Sequence, residues 1–116
     1  MKDTLHLPLQ QKWFEMIASG EKLEEYREIM PYWEARIKDR NTGDFRKFKK
    51  VIGTNGYGST LPKVIWEPGE ILVGWGRPEW GAPTDRKVFI IPINKILQLK
   101  NYERTNETDR SGDTGK

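Results

Sequence analysis

The opening of the chain alternates. Leu5, Leu7 and Leu9 fall on one side and Thr4, His6 and Pro8 on the other, a period of two that predicts a strand over residues 4–9, closing at Pro8. The period then lengthens. Leu9, Trp13, Met16 and Ile17 recur at helical spacing, predicting a helix over 10–19 that turns Trp13, Phe14 and Ile17 inward and stops at Ser19-Gly20. Alternation returns over 23–29. In a regular strand Leu23, Glu25, Arg27 and Ile29 share one face, while Glu24, Tyr26 and Glu28 take the other. An apolar-flanked face that carries Glu25 and Arg27 has the character of a cleft wall.

Further along, Pro31 suits the first turn of a short helix over 32–37, with Trp33 and Ile37 on one face. Asn41-Thr42-Gly43-Asp44 predicts a turn, and 45–52 a strand in which basic and apolar residues interleave. The glycine-rich stretch 53–60 lacks the Lys-Ser/Thr ending of a phosphate-binding loop and predicts a hairpin loop that displays Tyr57. Residues 62–66 and 70–75 read as strands around a Pro68-Gly69 turn. The stretch 74–83, dense in Gly, Pro and Trp, reads as a loop forming a shaped rim or pinned into the core by Trp80. Residues 87–93 predict a buried strand and 95–99 a last short element. From residue 100 charge of both signs, Thr, Ser and Gly replace the apolar pattern, predicting a folded domain over 1–99 and a disordered polar tail over 100–116. The sum is an α+β domain: a small barrel of about five or six strands with one or two flanking helices.

Composition narrows the chemistry. Among 116 residues there is no Cys and a single His, which excludes a disulfide framework and the common nitrogen–sulfur zinc sites. No carboxylate spacing demands a metal, and no cofactor is expected. His6 reads as an outward strand residue. No apolar run reaches membrane-spanning length and no signal peptide opens the chain, so a cytoplasmic protein without membrane contact is expected. The net charge of +3 is modest, but Arg36, Lys38, Arg40, Arg46, Lys47, Lys49 and Lys50 lie against only Asp39 and Asp44. That basic lobe could attract phosphates.

Gly20, Lys22, Glu25 and Arg27, directly behind an amphipathic helix, form a Gly-x-Lys-x-x-Glu-x-Arg motif. It resembles the signature of the ASCH domain, a branch of the PUA-like β-barrels, and the resemblance covers roughly residues 3–99. The resemblance implies binding related to RNA or nucleotides and, in some members, hydrolysis. Members that hydrolyse acylated cytidine carry a Thr nucleophile where this chain has Glu25, while Lys22 matches their lysine. Here Glu25 would instead activate a water, Lys22 would stabilise the oxyanion, and Glu79 is the candidate second carboxylate. A ribonuclease would use Lys22 and Arg27 on phosphate and Glu25 as base or metal ligand.

Binding needs no nucleophile and is the preferred expectation. The partner is then RNA or a nucleoside-type small molecule, with no protein partner indicated. Glu25 would accept from exocyclic amines and Arg27 or Lys22 would donate to carbonyls or phosphate. Tyr26, Tyr32 or Tyr57 would stack on a base, and Arg46, Lys47, Lys49 and Lys50 would follow the backbone. Lys22, Glu25 and Arg27 also fit an ion-pair cluster that merely fixes the helix-to-strand corner.

Overall fold

A computed structural model describes residues 3–56 and 60–102. Tyr57, named above as a stacking candidate, lies outside them, as does the predicted tail beyond Tyr102. Among the described residues six strands and two α-helices follow the order β1 (Thr4–Leu9), α1 (Gln11–Ala18), β2 (Glu24–Arg27), α2 (Pro31–Ile37), β3 (Lys50–Asn55), β4 (Lys63–Pro68), β5 (Leu72–Gly74) and β6 (Val88–Lys100). A 3₁₀ turn, Pro78–Trp80, sits in the loop before β6. The α+β class and the expected strand and helix numbers are met.

The strands form one curled sheet, ordered β1-β3-β4-β6-β2, with β5 also paired to β6. β1 and β3 are parallel, Leu7 opposite Gly53, and the other ladders are antiparallel. The curl depends on β6. Its first half lies between β2 and β5, with Ile90 opposite both Tyr26 and Leu72, and its second half pairs with β4. Register shifts opposite Ile65/Trp66 and Glu67/Pro68 leave Asn94 and Leu97 out of the ladder. Such bulges bend a strand and increase its twist. The two elements expected over 87–93 and 95–99 are therefore one bent strand.

The Pro68-Gly69 turn needs a similar correction. β4 and β5 both run antiparallel to β6, so the chain does not reverse there but continues along the same neighbour past a kink. Pro68 has no N–H to offer the ladder. Gly69 crosses so close to β6 that an added Cβ would stand 2.8 Å from the Asn94 side chain. The strand expected over 45–52 also begins later, at Lys50. Phe45 makes only an isolated bridge to Lys38, and its ring packs edge-on against Phe89.

Inside the curl, Leu5, Leu7 and Leu9 of β1 meet Phe14 and Ile17 of α1, Trp66 of β4, and Phe89, Ile91 and Ile93 of β6. The outer face of β6 holds a second, smaller cluster in which Val88 and Ile90 pack with Tyr26 and Ala82. This is why 88–91 are buried on both sides. Lys100 ends β6, and Tyr102 packs edge-on against Phe14 and donates to Glu15.

β1 and β2 are the two ends of the strand path, and no ladder joins them. The motif fills this seam.

Candidate functional site at the open seam

The site begins with how α1 ends. Ser19 N–H bonds to Glu15 O at 3.0 Å, Gly20 N–H to Ile17 O at 3.0 Å, and the N–H groups of Glu21 and Lys22 both reach Met16 O at 2.9 Å. This wrap requires Gly20 at φ 88°, a left-handed conformation that costs an L side chain roughly 1–2 kcal/mol. The motif glycine thus fixes the exit direction of the chain, and with it Lys22.

Lys22 is 1% exposed. Its ammonium donates to Trp80 O, lies 3.3 Å from Glu25 Oε1, and stands over the Tyr26 ring at 4.6 Å and the Trp13 ring at 5.2 Å. Burial pushes its pKa below the usual amine range, Glu25 opposes the shift, and Arg27 adds to it. Glu25 is 4% exposed and faces the interior, opposite Ile91. Its second oxygen accepts from Arg27 Nη1 at 2.5 Å. Arg27 also donates to Tyr26 O at 3.0 Å and to Pro8 O at 2.6 Å. That last bond carries β2 across to β1 where the ladder is missing. The guanidinium stands over the Trp33 ring of α2 at 5.1 Å, and its Nε is buried without a hydrogen-bond partner.

Two cations therefore share one carboxylate, and with both ionised the cluster carries a net charge of +1. It borders a cavity of about 270 Å³ lined by Pro8, Leu9 and Gln10, by Lys22, Glu25, Tyr26 and Arg27, and by Trp13, Trp80 and Gly81. That volume is near the lower end of small-molecule sites. Gly81, at φ 102°, lies against the Trp13 indole, where an added Cβ would stand 3.0 Å from a ring carbon. Tyr26 donates to Glu24 at 2.8 Å and accepts from Arg77 N–H at 2.9 Å. Burial raises its pKa, with the Arg77 N–H opposing.

The expected strand parity holds for Glu25 and Arg27, but the apolar flanks do not. Leu23 is 51% and Ile29 40% exposed. Residues 21–22 still wrap the helix end, and β2 stops at Arg27 before the chain turns into α2.

Lys22, Glu25, Tyr26 and Arg27 come together at the cavity, and the other candidates lie elsewhere. Glu79 is exposed, 3.2 Å from Arg77, and does not line the cavity. Its own backbone N–H and then Arg77 hold its pKa below the usual carboxylate range. The loop reaches the site through Trp80 O instead, because the 3₁₀ turn directs the two neighbouring residues differently. Tyr32 is half-exposed, edge-on to Trp33 and covered by Arg36 at 3.6 Å. Arg46 and Lys47 border a separate cavity with Phe45 and Phe48. Lys49 pairs loosely with Asp3 at 3.9 Å, and Lys50 is exposed at the start of β3. Among the described residues no group of three or more potential metal ligands occurs, and no helix is long and apolar enough to cross a membrane.

Sequence reasoning missed three parts of the wall. Trp13 is half-buried and lines the cavity rather than the core. Pro8 and Trp80 contribute through backbone carbonyls, for which side-chain identity gives no signal.

No protein-family profile matches the chain, and no solved structure matches it significantly. A stretch of 68 residues, 59% of the chain, is 29% identical to a Methanocaldococcus jannaschii protein assigned as the MjaVIIP type I restriction enzyme endonuclease subunit. The chain spans about 6% of that protein's length.

Proposed function

We propose that this protein binds a nucleobase or nucleoside, free or within an RNA strand, in the cavity at the β1–β2 seam. The observation that carries this is the buried Lys22–Glu25–Arg27 cluster, with its surplus positive charge, bordering a cavity walled by Trp13 and Tyr26. Such a wall offers donors to the carbonyl or ring-nitrogen edge of a base and aromatic surface to its face. The relation to a restriction enzyme subunit adds a nucleic-acid context, though at 6% of that protein's length it carries no activity across. The ASCH resemblance points to the same ligand class.

Hydrolysis has less support. Among the described residues lining the cavity the sole hydroxyl is that of Tyr26, which already donates to Glu24 and whose pKa is raised. Both Glu25 oxygens already take cations, and Glu79 stands apart.

The test is titration of nucleosides and short single-stranded RNAs into wild-type protein and Trp13→Ala, with mass spectrometry for turnover. Aromatic contact with a base is worth about 1–3 kcal/mol, so Trp13→Ala should weaken binding roughly 5- to 150-fold. Equal affinity in the variant would sink the cavity as the binding site. Product formation by the wild type would replace binding with hydrolysis.

A further inference from the structure

A second concavity adjoins the seam and is built from a different set of side chains. Thr4, Leu5 and His6 of β1, Ala35 and Arg36 of α2, and Arg46 and Phe48 of the following segment enclose about 510 Å³. Arg46 and Phe48 also border the neighbouring cavity with Phe45, Lys47 and the β4–β5 kink. The charged side chains lining this concavity, Arg36 and Arg46, are basic, while Glu70 borders the neighbouring cavity.

Neither arginine is neutralised. Arg46 Nη1 donates to Arg36 O at 3.3 Å and Arg36 Nη1 to Tyr32 O at 3.0 Å. Among the described residues no carboxylate stands within ion-pair distance of Arg36, Arg46 or Lys47. Asp39 feels Arg46 but is held chiefly by the N–H groups of Asn41 and Thr42. Both guanidiniums are anchored through carbonyls, which leaves their charge available. Arg46 also stands over the Phe48 ring at 5.6 Å. Lys50 stands opposite Thr4 in the β1–β3 ladder.

β1 connects this concavity to the base cavity. His6 lines the first, while Pro8 and Leu9 line the second. His6 and Pro8 are two residues apart on one strand face, a separation of about 7 Å. α2 makes the same link, with Trp33 against Arg27 and Arg36 in the basic concavity.

From this juxtaposition we infer that His6, Arg36 and Arg46 form a phosphate subsite that receives a phosphate of the nucleotide in the seam cavity or of its neighbour in a single strand. The inference rests on the base-binding reading for the direction of the ligand but not for the charge of the subsite. The imidazole supplies a donor and the guanidiniums supply forked donors that match phosphate oxygens. Phe48 offers an aromatic surface beside them for the adjoining base.

The experiment compares a nucleoside, its 5′-monophosphate and a short single-stranded RNA on wild type, Arg36→Gln/Arg46→Gln, Arg36→Lys/Arg46→Lys and Trp13→Ala, across salt concentrations. Each phosphate contact contributes a slope of roughly −0.7 in log K against log salt for single strands, or about fivefold at 0.1 M relative to 1 M. Losing that one phosphate contact should therefore weaken RNA binding about fivefold at 0.1 M salt and flatten the slope by about 0.7. Nucleoside affinity should not respond to the glutamines, and the double lysine variant should keep most of the slope. A monophosphate that responds as strongly as the RNA identifies the nucleotide's own phosphate as the occupant, and an unresponsive one identifies the neighbour's.

An RNA affinity and slope unchanged in Arg36→Gln/Arg46→Gln would overturn the subsite, even if Trp13→Ala still loses binding and so upholds the seam cavity. A slope lost in that variant with no effect of Trp13→Ala upholds the subsite and removes the base-binding reading. Failure of every ligand to bind wild type overturns both.

Discussion

Glu25→Gln should be the costliest single change in the seam cluster. The carboxylate holds Lys22 at 3.3 Å on one oxygen and Arg27 at 2.5 Å on the other, nearly out of water. The amide keeps the volume and removes the charge, leaving two cations without a counter-ion. Breaking a buried pair in this way costs about 3–5 kcal/mol. A second route gives a compatible ceiling. Burial already disfavours the charged form of Lys22, with Glu25 the main opposing influence. Without Glu25 the amine can escape by losing its proton, which at pH 7 costs at most about 4.6 kcal/mol from a reference pKa near 10.4. Against a total stability of about 5–15 kcal/mol, such a loss is large. Urea unfolding at pH 7 of wild type, Glu25→Gln, Lys22→Met and the double variant measures it. Lys22→Met leaves Glu25 paired with Arg27, so it should cost less than Glu25→Gln. The double variant should cost less than the sum of the singles, because the residues share one network. A loss below about 1 kcal/mol for Glu25→Gln would refute the desolvated cluster on which the estimate rests. So would a larger loss for Lys22→Met.

The remaining two predictions concern pH and packing. Because burial lowers the pKa of Lys22 in the fold, the unfolded chain binds a proton that the folded chain lacks between that lowered value and about 10.4, so stability rises with pH across this window. The unfolding free energy of wild type minus that of Lys22→Met should climb from pH 7 to pH 10, and a flat or falling difference would contradict the shift. Tyr26 loses stability only above about pH 10, at the upper edge of this window. Gly76→Ala would place a Cβ 2.5 Å from the Tyr26 ring and 2.6 Å from Ala82. Overpacking of this kind costs about 1–3 kcal/mol in urea unfolding, and an unchanged midpoint would show that the loop does not seal the second cluster.

The features legible in the sequence are those set by local periodicity. Leu5, Leu7 and Leu9 announce β1 because one face of it is buried, and Phe14 and Ile17 announce α1 for the same reason. The shared face of Glu25 and Arg27 follows from the pleat alone. What stays hidden depends on distant partners. Nothing near Asn94 or Leu97 signals a bulge, since the bend in β6 comes from its exchange of neighbours along the curled sheet. Helical spacing places Trp13 at the margin of the apolar face but cannot say whether that margin meets core or cavity. Glu79 is misleading because the loop acts at the site through the carbonyl of the next residue, Trp80.

The same backbone view explains why a buried corner carries Lys, Glu and Arg instead of apolar residues. At a missing ladder, carbonyls that a neighbouring strand would have satisfied need other donors. Arg27 serves Pro8 O and Tyr26 O at that edge, and Lys22 serves Trp80 O of the 3₁₀ turn beside it. Two cationic donors placed so close require a carboxylate between them, and Glu25 fills that place. Closure of the seam therefore accounts for the three charged residues, but it does not account for the space beside them. Apolar packing would close an edge more stably than a buried charge cluster, and close packing would leave no cavity of about 270 Å³ against it. A purely structural cluster predicts that Trp13→Ala alters stability and nothing else. A ligand-holding seam predicts that the same change costs affinity as well, while Arg27 continues to bridge β2 to β1.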